Sequence, residues 1–348
     1  MEEWKECKLG DFFELHRGYD LTKSEIKEGP YPVVCSTSIM GYHNEYKVKA
    51  PGVVIGRSGT LGEVQFIDTD YWPHNTSLYV SDFKGNFPKF IKYFLQLFGT
   101  GNVGGGSAVP TLNRNHLQAL TVRVPPLPTQ QKIAAILSSL DDKIELNNKI
   151  NTNLEQQAQA LFKNWFVDFA PFGGKMPEEW KVGKLSEIAE ITSGKRPPMK
   201  QSDYSKDVSI PLVGAASVMG YTNQVLYNEP ILITGRVGTH GVIQRFSTDC
   251  WPSDNTLVVK SKYYEYVYQI MKNIDYDNMN RGSTQPLITQ SDLGKVECII
   301  PDEDNLQKFK QLVNILFSKV QENQQENQKL VNIRDTLLPK LMNGAIEV

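Results

Sequence analysis

Two short runs have the most chemically suggestive spacing in the chain: Gly56-Arg57-Ser58-Gly59-Thr60 and Gly235-Arg236-Val237-Gly238-Thr239. Glycine, lacking a Cβ, lets backbone come close to a phosphate or a groove wall. Arginine offers a planar fork of donors that fits phosphate, or the O6/N7 edge of guanine, in bidentate fashion. Threonine adds a neutral hydroxyl, and Asn75-Thr76 and Asn255-Thr256 follow the two runs at similar distances. In a single copy the pattern would read as a plain β-turn with an exposed arginine. Its recurrence about half a chain apart is what needs a physical reason.

Other chemistry finds little support. His16, His43 and His116 lack metal-ligand spacing, and no two of Cys7, Cys35, Cys250 and Cys298 form a Cys-x-x-Cys pair, so neither zinc nor a disulfide framework is expected. There is no Asn-Pro-Pro-Phe or Asp-Pro-Pro-Tyr run of an adenine methyltransferase, and no Walker A pattern. Gly99-Thr100-Gly101-Asn102-Val103-Gly104 fits G-x-G-x-x-G, but it follows a helix-like segment and leads into more glycine, so the strand–turn–helix context of a dinucleotide site is missing. The twin segment around Asn278 to Gly282 has lost most of those glycines, which a shared cofactor loop would have kept. No catalytic residue, metal or cofactor is therefore assigned to this chain. The net charge of −2 neither announces a nucleic-acid partner nor excludes one, since a basic face can be balanced elsewhere. No run of some 18 apolar residues marks a membrane span, and the start, Met1-Glu2-Glu3-Trp4-Lys5, lacks a secretion signal, so a cytoplasmic protein is expected.

The elements that position the two runs are themselves duplicated. Trp4-Lys5 recurs as Trp180-Lys181, and Leu9 and Gly18 recur as Leu185 and Gly194, all 176 residues on. Met40-Gly41-Tyr42, Gly56 and Trp72-Pro73 recur 179 residues on, Asn75-Thr76 at 180, and Pro110, Leu117 and Pro125 at 176 again. Small gaps inside a kept order are what surface loops produce in a tandem repeat. Within each copy the β-rich runs Val33-Val34, Gly52 to Ile55, Val64 to Ile67 and Leu78 to Val80 predict short strands. Pro88 to Phe98 and Tyr263 to Ile274 predict helices.

Each copy then ends in a long heptad-like segment. In the first, Ile133, Leu137, Leu140, Ile144, Leu154, Ala158, Leu161 and Trp165 step by threes and fours, with Thr129 as the expected N-cap. In the second, Phe309, Val313, Leu316, Val320, Leu330, Leu337 and Leu341 do the same. Asn147 and Asn151 interrupt the first seam, and Asn323 and Asn327 interrupt the second at the same places. They either face solvent or meet in a helix pair, where buried asparagine weakens a seam but fixes its register. Connectivity favours an antiparallel pair, because the second helix begins near where the first ends. The expected domains are 1–125, a helix over 126–170, a second mixed domain over 171–301 and a second helix over 302–348. The fold class is α+β, with two tandem mixed α/β domains and an antiparallel coiled coil, pseudo-twofold symmetric within one chain.

In this order the chain resembles the specificity subunit of type I restriction–modification enzymes. The likeness covers the whole chain and is carried by Val124-Pro125-Pro126-Leu127-Pro128-Thr129-Gln130-Gln131-Lys132-Ile133, by Leu161-Phe162-Lys163-Asn164-Trp165-Phe166-Val167-Asp168-Phe169 and by Trp251-Pro252-Ser253-Asp254-Asn255-Thr256. The second copy departs at its helix entry, where Ile300-Pro301-Asp302-Glu303-Asp304 replaces the proline run. The resemblance implies a non-catalytic reader of double-stranded DNA, with two target-recognition domains spaced by the helices. Each domain would read half of a split site. The partners would be two methyltransferase subunits and usually two restriction subunits. S-adenosylmethionine, ATP and Mg would belong to those partners.

Under that reading Arg57 and Arg236 are common to both copies and so suit phosphate positioning rather than base readout, while Thr60 and Thr239 add neutral hydrogen-bonding groups. Specificity is expected where the copies differ: Ser58 against Val237, Leu61 against His240, His74-Asn75 against Ser253-Asp254-Asn255, and Arg17 against Ser193 with Lys195-Arg196 just beyond. The loops Gly101 to Ser107 and Asn278 to Gln285, with Ser107, Arg281, Thr284 and Gln285, complete the set. Ordinary loop drift would explain each difference equally well. A pure scaffold, with a coiled coil presenting two protein-binding domains, would lack salt-dependent DNA binding. A standalone nuclease or methyltransferase would act on DNA without partners.

Overall fold

Short β-branched and aromatic runs between Gly, Pro, Asn and Asp form the strands, and the heptad segments form the two longest helices. The computed structural model describes residues 4–57, 63–99, 113–279 and 287–348. The first repeat runs β1 (Lys5–Lys8), α1 (Leu9–Phe12), β2 (Glu14–Arg17), β3 (Tyr31–Val34), β4 (Ile39–His43), β5 (Gly52–Gly56), β6 (Val64–Ile67), β7 (Trp72–Pro73), β8 (Ser77–Asp82), α2 (Pro88–Gly99), α3 (Arg114–Ala119) and β9 (Thr121–Val124). It ends in α4 (Leu127–Phe166). The second runs β10 (Lys181–Lys184), β11 (Glu190–Ser193), β12 (Ile210–Val213), β13 (Val218–Thr222), β14 (Ile231–Gly235), β15 (Gln244–Phe246), β16 (Trp251–Pro252), β17 (Thr256–Lys260), α5 (Tyr264–Lys272), α6 (Tyr276–Met279), α7 (Gln290–Gly294) and β18 (Glu297–Ile300). It ends in α8 (Glu303–Met342).

The duplication extends to topology. The first repeat has sheets ordered β2-β8-β5-β6, β4-β3-β7 and β1-β9, and the second has β11-β17-β14-β15, β13-β12-β16 and β10-β18. In each three-stranded sheet one pair is parallel, β3 with β7 and β12 with β16.

The chain divides into two compact units, residues 1–148 with 324–348, and residues 149–323. In the first, Leu9, Phe13, Phe90 and Leu117 form one core with Ile133 and Leu137 of α4 and Leu338 and Leu341 of α8. In the second, Trp180, Leu185, Tyr266 and Val267 share a core with Ala158, Phe162 and Phe166 of α4 and Phe309 and Val313 of α8. The long helices are thus part of each core as well as a connection.

Within each unit the helix segments run antiparallel. In the first, Asn147 Nδ2 donates to Asn327 Oδ1 at 2.9 Å and to Glu326 Oε2 at 2.8 Å, and Arg334 Nη1 reaches Asp141 Oδ1 at 2.9 Å. In the second, Asn323 Nδ2 donates to Asn151 Oδ1 at 2.8 Å. Asn147, Asn151 and Asn323 are buried, so they are not solvent-facing interruptions.

One sequence expectation is corrected. Thr129 does not cap α4: the helix starts at Leu127, and Gln130 N already bonds Pro126 O at 3.0 Å. The Pro125-Pro126 pair sets the entry, since proline needs no intrahelical partner at a first turn. The divergent entry to α8 is capped instead by Asp302, whose carboxylate accepts from Asn305 N at 3.0 Å and from Trp180 Nε1 at 2.6 Å. Burial resists ionisation of Asp302, but these bonds outweigh it and hold the carboxyl below its usual range.

Candidate nucleic-acid interface

In the first unit Arg17, Arg57, His74 and Asn75 gather around one turn, Pro73 to Ser77. After β2, Gly18 N bonds Ser77 O at 3.1 Å and Tyr19 N bonds Pro73 O at 2.8 Å. A Cβ on Gly18 would lie 2.1 Å from the His74 carbonyl oxygen, so only glycine allows this approach. The turn is fixed from below by His74 N to Val34 O at 2.8 Å and is closed by Ser77 N to His74 O at 3.0 Å. Arg57 enters it through its own amide, which donates to Thr76 O at 3.0 Å.

The side chains divide into tied and available. His74 Nε2 lies 3.1 Å from Leu21 O and Nδ1 lies 3.0 Å from Thr76 Oγ1. A carbonyl only accepts, so Nε2–H donates to Leu21 and the Thr76 hydroxyl donates to Nδ1. Both ring nitrogens are therefore engaged within the protein, and His74 shapes the turn. Arg17 is exposed and its Nη2 lies 3.5 Å from Asp20 Oδ1, which also accepts from Asn75 Nδ2. Arg57 is half-buried. Beside the turn, Lys47 Nζ sits 4.6 Å over the Trp72 ring, and Tyr19 packs edge-on to the same ring at 6.2 Å. Tyr79 hydrogen-bonds Tyr19 across 3.2 Å, and burial first, then that bond, pushes its hydroxyl well above the usual range.

The second unit repeats the arrangement bond for bond. Gly194 N meets Thr256 O at 3.0 Å, Lys195 N meets Pro252 O at 3.0 Å, Ser253 N meets Val213 O at 2.9 Å, Thr256 N meets Ser253 O at 3.0 Å and Arg236 N meets Asn255 O at 2.8 Å. A Cβ on Gly194 would lie 2.1 Å from Ser253 O. Strand register agrees, with Gly56 opposite Ser77 and Gly235 opposite Thr256.

This corrects the sequence alignment by one residue. Thr76 matches Asn255 and Asn75 matches Asp254, whereas matching Asn-Thr to Asn-Thr had paired Asn75 with Asn255. Backbone hydrogen bonds set equivalence, and a coincidence of two residue types had obscured it.

Lys195, Arg196, Thr239 and Asn255 are exposed, and Arg236 is half-buried. Ser253, within the turn, is buried, 3% exposed. His240 Nδ1 donates to Gly235 O at 3.1 Å. A Cβ on Gly235 would lie 1.8 Å from Thr239 O, and Gly238 has φ +86°, so this run needs glycine at both places. Ser193, matching Arg17, accepts from Gln290 Nε2 at 2.9 Å. Ser58, Thr60, Leu61, Ser107, Arg281, Thr284 and Gln285 lie outside the described residues. Among the described residues, no group of three His, Cys, Asp or Glu could hold a metal ion, and no helix is long and apolar enough to cross a membrane.

Sequence reasoning missed Asp20, Lys47 and Trp72 as neighbours of the turn. It matched Gly18 with Gly194 without seeing why glycine recurs there. The recurrence itself was the usable signal, because a glycine kept in a repeat frame marks close backbone approach.

Two matching hydrogen-bonded turns, carrying cationic and amide side chains that differ between copies, form a duplicated structural module. The chain belongs to the type I restriction modification DNA specificity domain family, whose model matches residues 1–156 and again 177–333. It is similar to the type I restriction enzyme MjaIX specificity subunit of Methanocaldococcus jannaschii, 31% identical over 71% of this chain and 65% of that one. It is also similar to the HindI specificity subunit of Haemophilus influenzae, 27% identical over 68% of this chain and 71% of that one. The crystal structure of a type I restriction–modification S subunit from M. genitalium shares the fold, with a TM-score of 0.62 at 19% identity over 97% of this chain and 96% of that one.

Proposed function

We propose that this chain is the specificity subunit of a type I restriction–modification complex, a non-catalytic reader of double-stranded DNA. One recognition domain, within 1–125, takes one half of a split site, and the other, within 171–301, takes the second half. The chain recruits two methyltransferase subunits and two restriction subunits. The partners supply S-adenosylmethionine, ATP and Mg chemistry. The observation that supports this most is the turn built twice by the same five backbone bonds but carrying different side chains. A common frame suits the repeating phosphate backbone, and different side chains suit different bases.

The test is to express the chain with its methyltransferase partners and map methylated adenines. The expected result is one bipartite motif with a fixed spacer. The purified chain alone should transfer no methyl group from labelled S-adenosylmethionine. Salt-independent binding, or none, would instead favour a protein scaffold.

A further inference from the structure

At position 20 the two repeats invert their charge. Gly18 and Gly194 make matching contacts, so Asp20 and Arg196 follow at the same place on their loops, and Asn75 and Asp254 match on the turns. In the first unit the loop supplies the acid and the turn supplies the amide. In the second the loop supplies the base and the turn supplies the acid, and no ion pair joins Arg196 to Asp254 among the described residues. The Asp20 side chain is 80% exposed, so packing does not explain it.

A carboxylate on a surface that faces phosphates weakens attraction unless it does something else. Asp20 does two things. It takes one N–H of Asn75, which orients the amide and leaves its oxygen and second N–H available. It also lies 3.5 Å from Arg17, an exposed cation next to the turn, and offsets its charge. An amide with one donor and one acceptor matches adenine, which offers its N6 amino donor and N7 acceptor in the major groove.

We propose that Asn75 reads an adenine in the half-site taken by the first unit, and that Asp20 is its positioning residue, restraining Arg17 from phosphate contact at the same time. This rests on the specificity-subunit reading above.

The experiment uses the full chain assembled with its methyltransferase subunits, on DNA carrying the mapped motif and single-base variants of it, across a salt series. Wild-type protein should prefer adenine at one position of the first half-site. Asp20→Ala should lower that preference about tenfold and steepen the salt slope by about one as Arg17 is freed. Asp20→Asn separates the two roles: its amide oxygen still accepts from Asn75, so base preference stays while the slope steepens. Asn75→Ala should lose the preference with the slope unchanged. A merely structural residue would move neither readout at constant melting temperature. An Asp20→Ala protein that keeps the wild-type preference at every position, or changes the second half-site, overturns the proposal. A wild-type complex with no sequence preference would sink the specificity-subunit reading instead.

Discussion

Arg57 and Arg236 each donate a backbone amide to the carbonyl at the same place on the repeated turn, at 3.0 and 2.8 Å. Each arginine thus starts from a fixed backbone point, although the side chains around it differ. A shared residue on a shared frame suits the shared part of the ligand, the phosphate. Arg57→Ala and Arg236→Ala are each expected to weaken DNA binding across all sequences and reduce the salt slope by about one, measured by titration over a salt series. A changed base preference with the slope intact would move the arginine to base readout. The arginines, their glycines and Asn75 were legible in sequence because they recur or contrast within a repeat frame. The true partner of Asn75 was not, because a one-residue shift between Asn75-Thr76 and Asn255-Thr256 leaves residue types looking matched while the backbone bonds disagree. Nor was the engagement of His74, whose ring nitrogens are taken up by Leu21 and Thr76 through contacts remote in sequence.

At the scale of elements, periodicity read the long helices and most central strands well. The run Val64 to Ile67 is β6, and Pro88 to Phe98 lies within α2. β6 is itself a four-residue edge strand, so length does not separate it from the strands that were missed: β1 is Lys5-Glu6-Cys7-Lys8, mostly charged, and β4 carries Gly41 at its centre. The seam asparagines meet in pairs, with Asn147 on Asn327 and Asn151 on Asn323. Replacing all four with leucine is expected to raise the melting temperature while loosening register, which cross-linking between chosen positions on α4 and α8 would detect. Lower stability with unchanged register would assign them a structural network instead. Asp141 on α4 was not singled out by sequence. It accepts from Lys92 Nζ at 2.7 Å, Tyr93 OH at 2.7 Å and Arg334 Nη1 at 2.9 Å, joining α2, α4 and α8 in the first unit. Burial opposes its ionisation, but the three donors outweigh that and hold its carboxyl below the usual range. Its folded pKa is therefore below the unfolded value of about 3.9, so its stabilisation is fully present above that pH and is lost as pH falls through the folded value. Asp141→Ala is expected to cost about 1.5–3 kcal/mol in urea unfolding at pH 7, because it takes the carboxylate from Lys92 and leaves Arg334 with Asp335 alone. The gap from wild type should close in acid. In the second unit the same frame positions, 176 residues away in sequence, hold Phe317 and Ala158. There the guanidinium of Arg245 lies 3.7 Å from the Phe317 ring centre and pairs with Glu265 at 2.6 Å. One helix frame therefore supports two different interiors, which is why periodicity predicted the helices and not this chemistry.

For the molecule as a whole, the proposed split-site function on a duplicated frame predicts that each repeat can be exchanged without disturbing the half-site taken by the other. Where to cut is decided by packing. A cut at 171–300 follows the change in sequence pattern, but it separates Trp180, Leu185, Tyr266 and Val267 from Phe162, Phe166, Phe309 and Val313, which share their core. A cut at 149–323 follows the compact unit and carries those helix residues along. Its junctions fall beside Asn148 and Asn323, where the seam is polar and a mismatch leaves no apolar cavity. Replacing either segment with the matching part of a relative should change one half of the methylated motif and leave the other half intact. The 149–323 exchange should keep a melting temperature near wild type. The 171–300 exchange should lose about 2–5 kcal/mol for each large side chain left facing a smaller one across the core. Methylome mapping with thermal melting of both hybrids tests this directly. If both half-sites changed in the 149–323 hybrid, each unit would no longer be an independent reader, and the repeat would have to act as a single combined surface. If the 171–300 hybrid were the more stable of the two, the recognition domains would have to be separable from the helices despite the shared core, and the sequence boundary would be the physical one.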